Sequence, residues 1–324
     1  MKYKNFYYSL NLGQTSKLRP VQNRNFLSKS WYLLKTTFLE FIEDDAIKLS
    51  AALSYYTIFA LPPLLIIIIT ICGFFFGEDA VTGQLYGQIN ELVGNDAAKQ
   101  IQEAIKNVQL SDSNVFVTIF GIIMLLIGAS GVFAEIQSSI NYIWGLRAKP
   151  NKGFKKFVQN RLMSFSMIVS VGFLMLVSLM LNATLDILNA RLKIYFPEST
   201  VYLFYIINIV IVLGSITLLF AIIFRTLPDG NIKWKDAFIG AGCTSLLFMI
   251  GKFAIGFYLG NSTIGSVYGA AGSVIIILVW VYYSAIILYF GAEFTKVYAK
   301  SYGGNISPNA YSVEIKKEIF EISE

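Results

Sequence analysis

The sequence predicts an all-α polytopic membrane protein with six transmembrane helices, and three observations lead to that fold class. Hydrophobic residues make up 55% of the 324 residues and charged residues 14%, whereas soluble domains average roughly 45–50% and about 25%. Six apolar runs are each long enough to cross about 30 Å of hydrocarbon as a helix of about 20 residues. Basic residues are concentrated on alternate connections between these runs. The runs cover approximately residues 49–76, 114–133, 162–188, 202–224, 237–259 and 270–290.

The placement of the 26 Lys and Arg residues predicts how the chain crosses the membrane. Most of them precede the first span, or lie between spans 2 and 3, between spans 4 and 5, or after span 6. The positive-inside rule then places both termini in the cytoplasm. We interpret the net charge of +6 as a topology signal and as attraction to anionic lipid headgroups, and we expect no nucleic-acid partner.

The segment before the first span divides into two parts. Residues 1–25 are polar and are expected to form a mobile cytoplasmic N-terminus. Over residues 26–48, apolar residues recur at three- and four-residue steps, which predicts an N-terminal amphipathic helix lying in the inner membrane interface. An ordinary solvent-facing helix is the alternative. The apolar stripe of this segment consists of Trp31, Leu34, Phe38, Phe41 and Ile42.

The six-span membrane domain is predicted to cover residues 26–300, with one sizeable outer segment at residues 77–113. This segment is acidic and contains two short amphipathic helical patterns. A cap over the outer mouth of the bundle and a passive spacer both fit it. Residues 301–324 are predicted to be a cytoplasmic tail.

Composition also excludes several kinds of chemistry. The chain has no histidine and two cysteines, which removes most zinc sites, Cys/His or Ser/His nucleophiles and any imidazole relay. We find no nucleophile elbow, no phosphate-binding loop and no carboxylates at metal-ligand spacing. No metal, no cofactor and no enzymatic activity are therefore expected.

Three polar residues are predicted to share one depth in the outer half of the membrane. Lys252 lies inside span 5, Asn182 inside span 3 and Asn208 inside span 4. Asp186, one turn from Asn182, could serve as a counter-ion. Charge at this depth is costly and marks functional sites, so we interpret the layer as the wall of a hydrated cavity for an anionic headgroup or coupling ion. The alternative is that Lys252 snorkels outward and the asparagines bond to neighbouring helices.

A second set of charges is predicted near the inner ends of the spans. Opposite charges at these ends would hold the helices together, and their separation would open the inner side. An inner gate and a static set of ion pairs are both consistent with this pattern. The residues are Glu135, Arg161, Arg225 and Glu293.

Span 1 contains a double proline, Pro62-Pro63, in its middle. Two prolines remove two amide donors and interrupt the helix. Such a break is tolerated at membrane depth where the freed groups face protein or water, and in transporters it often lies beside the substrate path. A fixed kink that shapes packing is the alternative.

Several local strings occur in a distinctive order. They are SAALSYY at 50–56, LPPLL at 61–65, NYIW at 141–144, FRTLPD at 224–229, YGAAG at 268–272, LVWVYY at 278–283 and GAE at 291–293. In this combination, over roughly residues 30–300, the chain resembles the YihY / virulence factor BrkB family of bacterial inner-membrane proteins. The resemblance implies six spans, cytoplasmic ends and a multi-pass location in the inner membrane. Family members have been labelled virulence factors, and an older ribonuclease BN label implies a histidine-rich motif that this chain lacks.

Together these features favour transport or handling of a lipid, envelope precursor or ion through a polar cavity in the bundle. A non-catalytic membrane scaffold for envelope assembly is the alternative. Membrane lipids are the expected partners, and the glycine-rich helix faces make a homo-oligomer possible.

Overall fold

The computed structural model describes residues 26–60, 131–149, 199–260, 270–302 and 304–315, together with residues 82–83, 86–87, 99 and 102 of the outer segment. This part of the chain is mainly helical, as the apolar runs predict. The N-terminus over residues 1–25, span 3 over residues 162–188 and most of the outer segment lie outside the described residues.

Two helices follow one another at the N-terminal end of the described chain. Helix α1 is Phe26–Glu43 and helix α2 covers residues 46–60. Asp45 separates them with a φ of +51°, a left-handed conformation that aspartate tolerates because its short side chain bonds locally. The amphipathic helix predicted over residues 26–48 is therefore present, but the structure divides it at this aspartate.

A shorter described helix, α3, covers residues 131–143 and includes the end of predicted span 2. It is followed by Gly145, whose φ of +69° is the left-handed conformation that often ends a helix. Strand β1, Leu146–Ala148, begins directly after this glycine.

The long helices in the second half of the chain correspond to predicted spans 4, 5 and 6. Helix α4 is Ser199–Thr226, α5 is Trp234–Gly260 and α6 is Ala270–Ser301. Each contains a segment that is long and apolar enough to cross a membrane. Helix α6 continues past the predicted end of span 6 at residue 290, and this extension carries several charged residues.

Two small antiparallel sheets join the helix ends to the C-terminal segment. Strand β2, Gly230–Asn231, pairs with β3, Ser307–Pro308, and β1 pairs with β4, Ser312–Glu314. In register, Arg147 lies opposite Val313 and Asn231 lies opposite Ser307. The described part of the predicted cytoplasmic tail is thus folded against the ends of α3 and α4.

The main hydrophobic core lies at one end of the bundle, where α3, α4 and α6 end and α5 begins. We call this end the junction. Its largest fully buried side chains include Tyr289, Phe224, Ile140 and Ile143. Phe41 of α1 is also buried there and packs its ring against that of Phe290, 5.8 Å away.

Helices α5 and α6 approach closely through small residues. A Cβ atom at Gly240 would overlap Thr295, and one at Gly291 would overlap Thr244. The two contacts are reciprocal, with a glycine on each helix receiving a threonine from the other. Small residues allow helix backbones to approach in this way in membrane bundles.

An apolar stripe on α5 faces away from the core. Leu246, Ile250, Phe253 and Phe257 are all exposed and follow one another at three- or four-residue steps. An exposed stripe of this kind on a long apolar helix is typical of a lipid-facing surface.

Candidate functional site

The most charged buried place among the described residues is centred on Lys296 of α6. Only 5% of this lysine is exposed. Its Nζ atom lies 2.9 Å from Glu40 Oε2, 3.0 Å from Asp44 Oδ2 and 2.6 Å from Glu293 Oε1. It also donates a hydrogen bond of 2.9 Å to the backbone carbonyl of Ile143. We call Lys296, Glu40, Asp44 and Glu293 the junction cluster.

Helical spacing brings these side chains to one point. Glu40 and Asp44 are four residues apart and so lie on one face of the α1 end, while Glu293 and Lys296 are three apart on α6. The carbonyl of Ile143 lies at the end of α3, where helix carbonyls lack intrahelical partners and carry partial negative charge. The cluster therefore ties three helices together through one ammonium group.

Glu40 is ionised in this environment. Burial opposes its ionisation, but the Lys296 ammonium, the neighbouring Glu293 side chain and the charge of Lys300 together hold the pKa of Glu40 below its ordinary value. Lys296 therefore neutralises a carboxylate from a helix that is distant in sequence. Removal of one partner from such a buried pair costs about 3–5 kcal/mol because the other charge is left uncompensated.

A second polar network surrounds Asp229, which follows α4. Asn141 of α3 donates from Nδ2 to Asp229 Oδ2 at 2.9 Å and accepts from the Asp229 amide at 2.7 Å. Gln137 Nε2 lies 3.4 Å from Asp229 Oδ1. On the other side, the carbonyl of Asp229 accepts hydrogen bonds from the Ser312 hydroxyl at 2.6 Å and the Asn309 amide at 3.0 Å. Asp229 thus connects α3 to the C-terminal segment.

The indole of Trp144 links this region to α6. Its Nε1 atom donates to the carbonyl of Ala292 at 3.0 Å, next to Glu293 of the junction cluster. Three of the sequence strings on which the family resemblance rests, at 141–144, 224–229 and 291–293, therefore meet at the junction.

The residues predicted as an inner gate are only partly brought together. Glu293 pairs with Lys296, whereas Glu135 accepts a hydrogen bond from Ser139 at 3.2 Å. The guanidinium of Arg225 lies 5.9 Å from the centre of the Trp234 ring. Within the described ranges, Arg225 forms no ion pair with either predicted acid. Arg161 lies outside them.

The predicted outer polar layer is represented by one described side chain. Lys252 is exposed on α5, and its neighbour Gly251 is buried against Tyr283. Asn208 lies in α4, but its side chain is outside the described residues. Asn182, Asp186 and the double proline Pro62-Pro63 also lie outside them, so the cavity and the helix break stay predictions.

Sequence reasoning missed three members of the junction cluster. Lys296 was counted among the basic residues that follow span 6, and the structure places it in the extension of α6, three residues from Glu293. Glu40 and Asp44 lie in the predicted amphipathic segment, but that prediction rested on the apolar residues of the segment and assigned no role to its acidic ones. Two signals could have identified them. Glu40 and Asp44 are carboxylates at four-residue spacing and therefore share one helix face, and Lys296 is a basic residue three positions after Glu293 at the end of the last apolar run.

The two faces of α1 are also arranged differently from a simple amphipathic helix. The predicted apolar stripe is largely exposed, with Trp31 70% exposed and Phe38 58% exposed, whereas Phe41 is buried. The face toward α6 contains Thr37 and the two acidic residues of the junction cluster. An exposed apolar face on a helix at the bundle end fits contact with the membrane interface.

The chemistry available at the junction cluster is electrostatic. Lys296 occupies the centre of the carboxylates, where a cation would otherwise lie, and the described residues contain no group of three potential ligands arranged to hold a metal ion. One ammonium group held by Glu40 on one side and Glu293 on the other is an electrostatic attachment between α1 and α6.

Comparison with known proteins identifies relatives of this chain. The family model of the virulence factor BrkB matches residues 37–315. A UPF0761 membrane protein of Saccharophagus degradans is 25% identical over 81% of this chain and 58% of its own length. One of Teredinibacter turnerae is 26% identical over 84% and 62%, and one of Alteromonas mediterranea is 25% identical over 80% and 85%. The chain thus spans less than two thirds of the first two relatives. No solved structure matches the chain.

Proposed function

We propose a transport or lipid-handling role for this chain, which belongs to the virulence factor BrkB family of integral membrane proteins. In this proposal the protein lies in the bacterial inner membrane with both termini in the cytoplasm. It moves or presents a lipid, an envelope precursor or an ion through a polar cavity in the helical bundle, and it performs no catalytic step.

The observation that carries the proposal is the junction cluster. A buried ion pair is weak support for stability, because well-packed apolar residues of similar volume often do as well or better. A cluster that joins α1 to α6 through Lys296, with Glu40 of α1 and Asp44 directly after that helix, is instead a contact that can be made or broken. The helices are held while the charges are paired and released when they separate. This behaviour suits an inner gate better than a static core.

The cargo is proposed to be anionic or to travel with a coupling ion. Lys252 is the charged residue predicted inside span 5, with Asn182, Asn208 and Asp186 predicted near its depth. In this scheme the outer polar layer binds the cargo, the broken helix at Pro62-Pro63 borders its path, and the junction cluster controls the inner end.

The test is a flux assay with purified protein in vesicles. Labelled anionic phospholipid and monovalent ions are supplied on one side, and their transfer is measured for the wild type, Lys296→Met and Lys252→Met. Lys300→Met and Lys235→Met serve as matched controls, because these lysines are exposed on the same helices.

We expect the first two variants to lose flux and the two controls to keep it. Normal flux of every cargo in Lys296→Met and Lys252→Met, with normal insertion of both proteins, contradicts the proposal.

A second candidate function, a scaffold for envelope assembly, is favoured by the exposed apolar face of α1. That face would then bind a protein partner rather than lipid. A scaffold predicts that the cellular phenotype survives Lys252→Met but is lost when Trp31 and Phe38 are both replaced by serine.

A further inference from the structure

The junction cluster contains more acid than base. Three carboxyl groups, from Glu40, Asp44 and Glu293, surround the single ammonium of Lys296. If all were ionised, the site would carry two uncompensated negative charges. Glu293 is completely buried, and an uncompensated ion in such a place is costly.

Glu40 Oε2 and Glu293 Oε1 lie 2.9 and 2.6 Å from the same Nζ atom of Lys296, so the two carboxyl groups are close neighbours. Two ionised carboxylates are both acceptors and repel each other at this separation, so a hydrogen bond between them requires one proton. Oxygen Oε2 of Glu293 is buried and has no hydrogen-bond partner among the residues that the structure describes. A proton shared by the two carboxyls removes their repulsion and gives the buried Glu293 side chain a hydrogen-bond partner.

The charged groups that face this pair come from the two helices that carry it. Asp44, directly after α1, contacts Lys296, and on α6 the charge of Lys300 acts on Glu40. Lys296 contacts both carboxyls of the pair. The single ammonium balances only one of the three carboxylates, so Asp44 and one carboxyl of the pair already leave an excess negative charge when both are ionised, and ionisation of the second carboxyl of the pair would add another.

The other packed helices bring no further charge into contact with the pair within the described part of the chain. Helix α3 contributes the carbonyl of Ile143, and its Glu135 is bonded to Ser139 instead. Helix α5 meets this stretch of α6 with small residues, and its Asp236 lies against Gly304.

We infer that Glu40 and Glu293 form a proton-binding site in which one shared proton keeps α1 attached to α6. Loss of that proton leaves two adjacent carboxylates whose repulsion separates α1 from the bundle. The junction cluster is thereby a proton-controlled latch. This inference concerns the site alone and holds for a scaffold as well as for a transporter.

The experiment uses the purified full-length chain in lipid nanodiscs and needs no cargo. Infrared spectra at neutral pH are compared for the wild type, Glu293→Gln and Glu40→Gln, because a protonated carboxylic acid has its own carbonyl stretching band. Glu43→Gln is the matched control, since this glutamate is exposed on the same helix. Hydrogen exchange of the α1 amides, corrected for the intrinsic pH dependence of exchange, is then followed as the pH is raised.

We expect a protonated-acid band in the wild type and in Glu43→Gln that is missing in both other variants. The band should disappear at alkaline pH together with the exchange protection of α1. Glu293→Gln, whose neutral amide replaces the protonated carboxyl, should keep that protection at alkaline pH. If it does not fold, Glu40→Gln provides the same spectral comparison.

Identical spectra for the wild type and both cluster variants overturn the inference, as does α1 protection that is independent of pH in the wild type. A third contradicting result is the absence of the band together with α1 protection that depends on sodium concentration, since the site would then hold a metal cation instead of a proton.

Discussion

Lys296 near the end of the last helix lies 2.9 Å from Glu40 near the end of the first described helix. The two residues are separated by most of the chain, and both are largely withdrawn from solvent. Their contact fixes α1 against α6 at the junction, where the C-terminal segment is also attached. Stability at this end of the bundle should therefore depend on a few polar groups.

Replacement of Lys296 by methionine should destabilise the protein strongly. The variant keeps the length and apolar stem of the side chain but leaves carboxylates buried without their cation, which costs about 3–5 kcal/mol. Thermal unfolding of purified protein in detergent measures the effect. Lys300→Met is the control, and equal melting temperatures for the two variants would contradict the role of Lys296.

Acid should weaken the α1 contact through Glu40. Because its pKa is lower in the folded protein than in the unfolded chain, Glu40 stabilises the fold at pH values above its ordinary pKa. That contribution is lost as the pH falls below 4.5, the ordinary value, toward the depressed folded value. Melting temperatures of the wild type, Glu40→Gln and Glu43→Gln across this range provide the measurement. The acid-dependent loss should be smaller in Glu40→Gln only.

Loss of the Asn141 side chain should release the C-terminal segment. Asn141→Ala removes two hydrogen bonds to Asp229 and leaves a buried carboxylate short of donors, at a cost of about 1–3 kcal/mol. We expect faster protease cleavage within residues 304–315, followed by mass spectrometry. Ser138→Ala, at an exposed position of the same helix, should leave cleavage unchanged. Unaltered cleavage in Asn141→Ala would argue against attachment through Asp229.

The contact between α5 and α6 should respond to added volume at specific glycines. Gly240→Ala places a methyl group onto Thr295, whereas a methyl group at Gly242 meets nothing within 4 Å. Overpacking costs about 1–3 kcal/mol, so Gly240→Ala should lower the melting temperature. Gly242→Ala should not lower it, since alanine is the better helix former. A larger loss in Gly242→Ala would show that the helices pack in another register.

Spans 4, 5 and 6 and their apolar character could be predicted because they depend on local chemistry. A run of about 20 apolar residues is long enough to cross the bilayer wherever the rest of the chain lies. The extents of α4 and α5 follow from such runs, whereas α1 was predicted from the three- and four-residue spacing of its apolar residues. The break at Asp45 was not predicted, since one left-handed residue leaves no periodic signal.

The candidate site was harder to predict because its members come together only through packing. Glu293 was identified by its position near the end of span 6, but the lysine chosen for the outer layer, Lys252, is exposed, and Arg225 lies beside Trp234. Lys296 looks like one more cytoplasmic charge until the length of α6 is known. Nothing local indicates that Glu40 faces it.

The sequence alone determined that this chain is an integral membrane protein and which family it resembles. Hydrophobic length, charge placement and ordered short strings are properties of the chain that do not depend on how the helices pack. The tertiary structure decided which charges are buried together, how the C-terminal segment is attached, and which face of α1 is exposed. These depend on helix rotation and on contacts between residues far apart in sequence. A charged residue that will be buried looks like any other charged residue in the sequence, because only the folded chain brings its partner beside it.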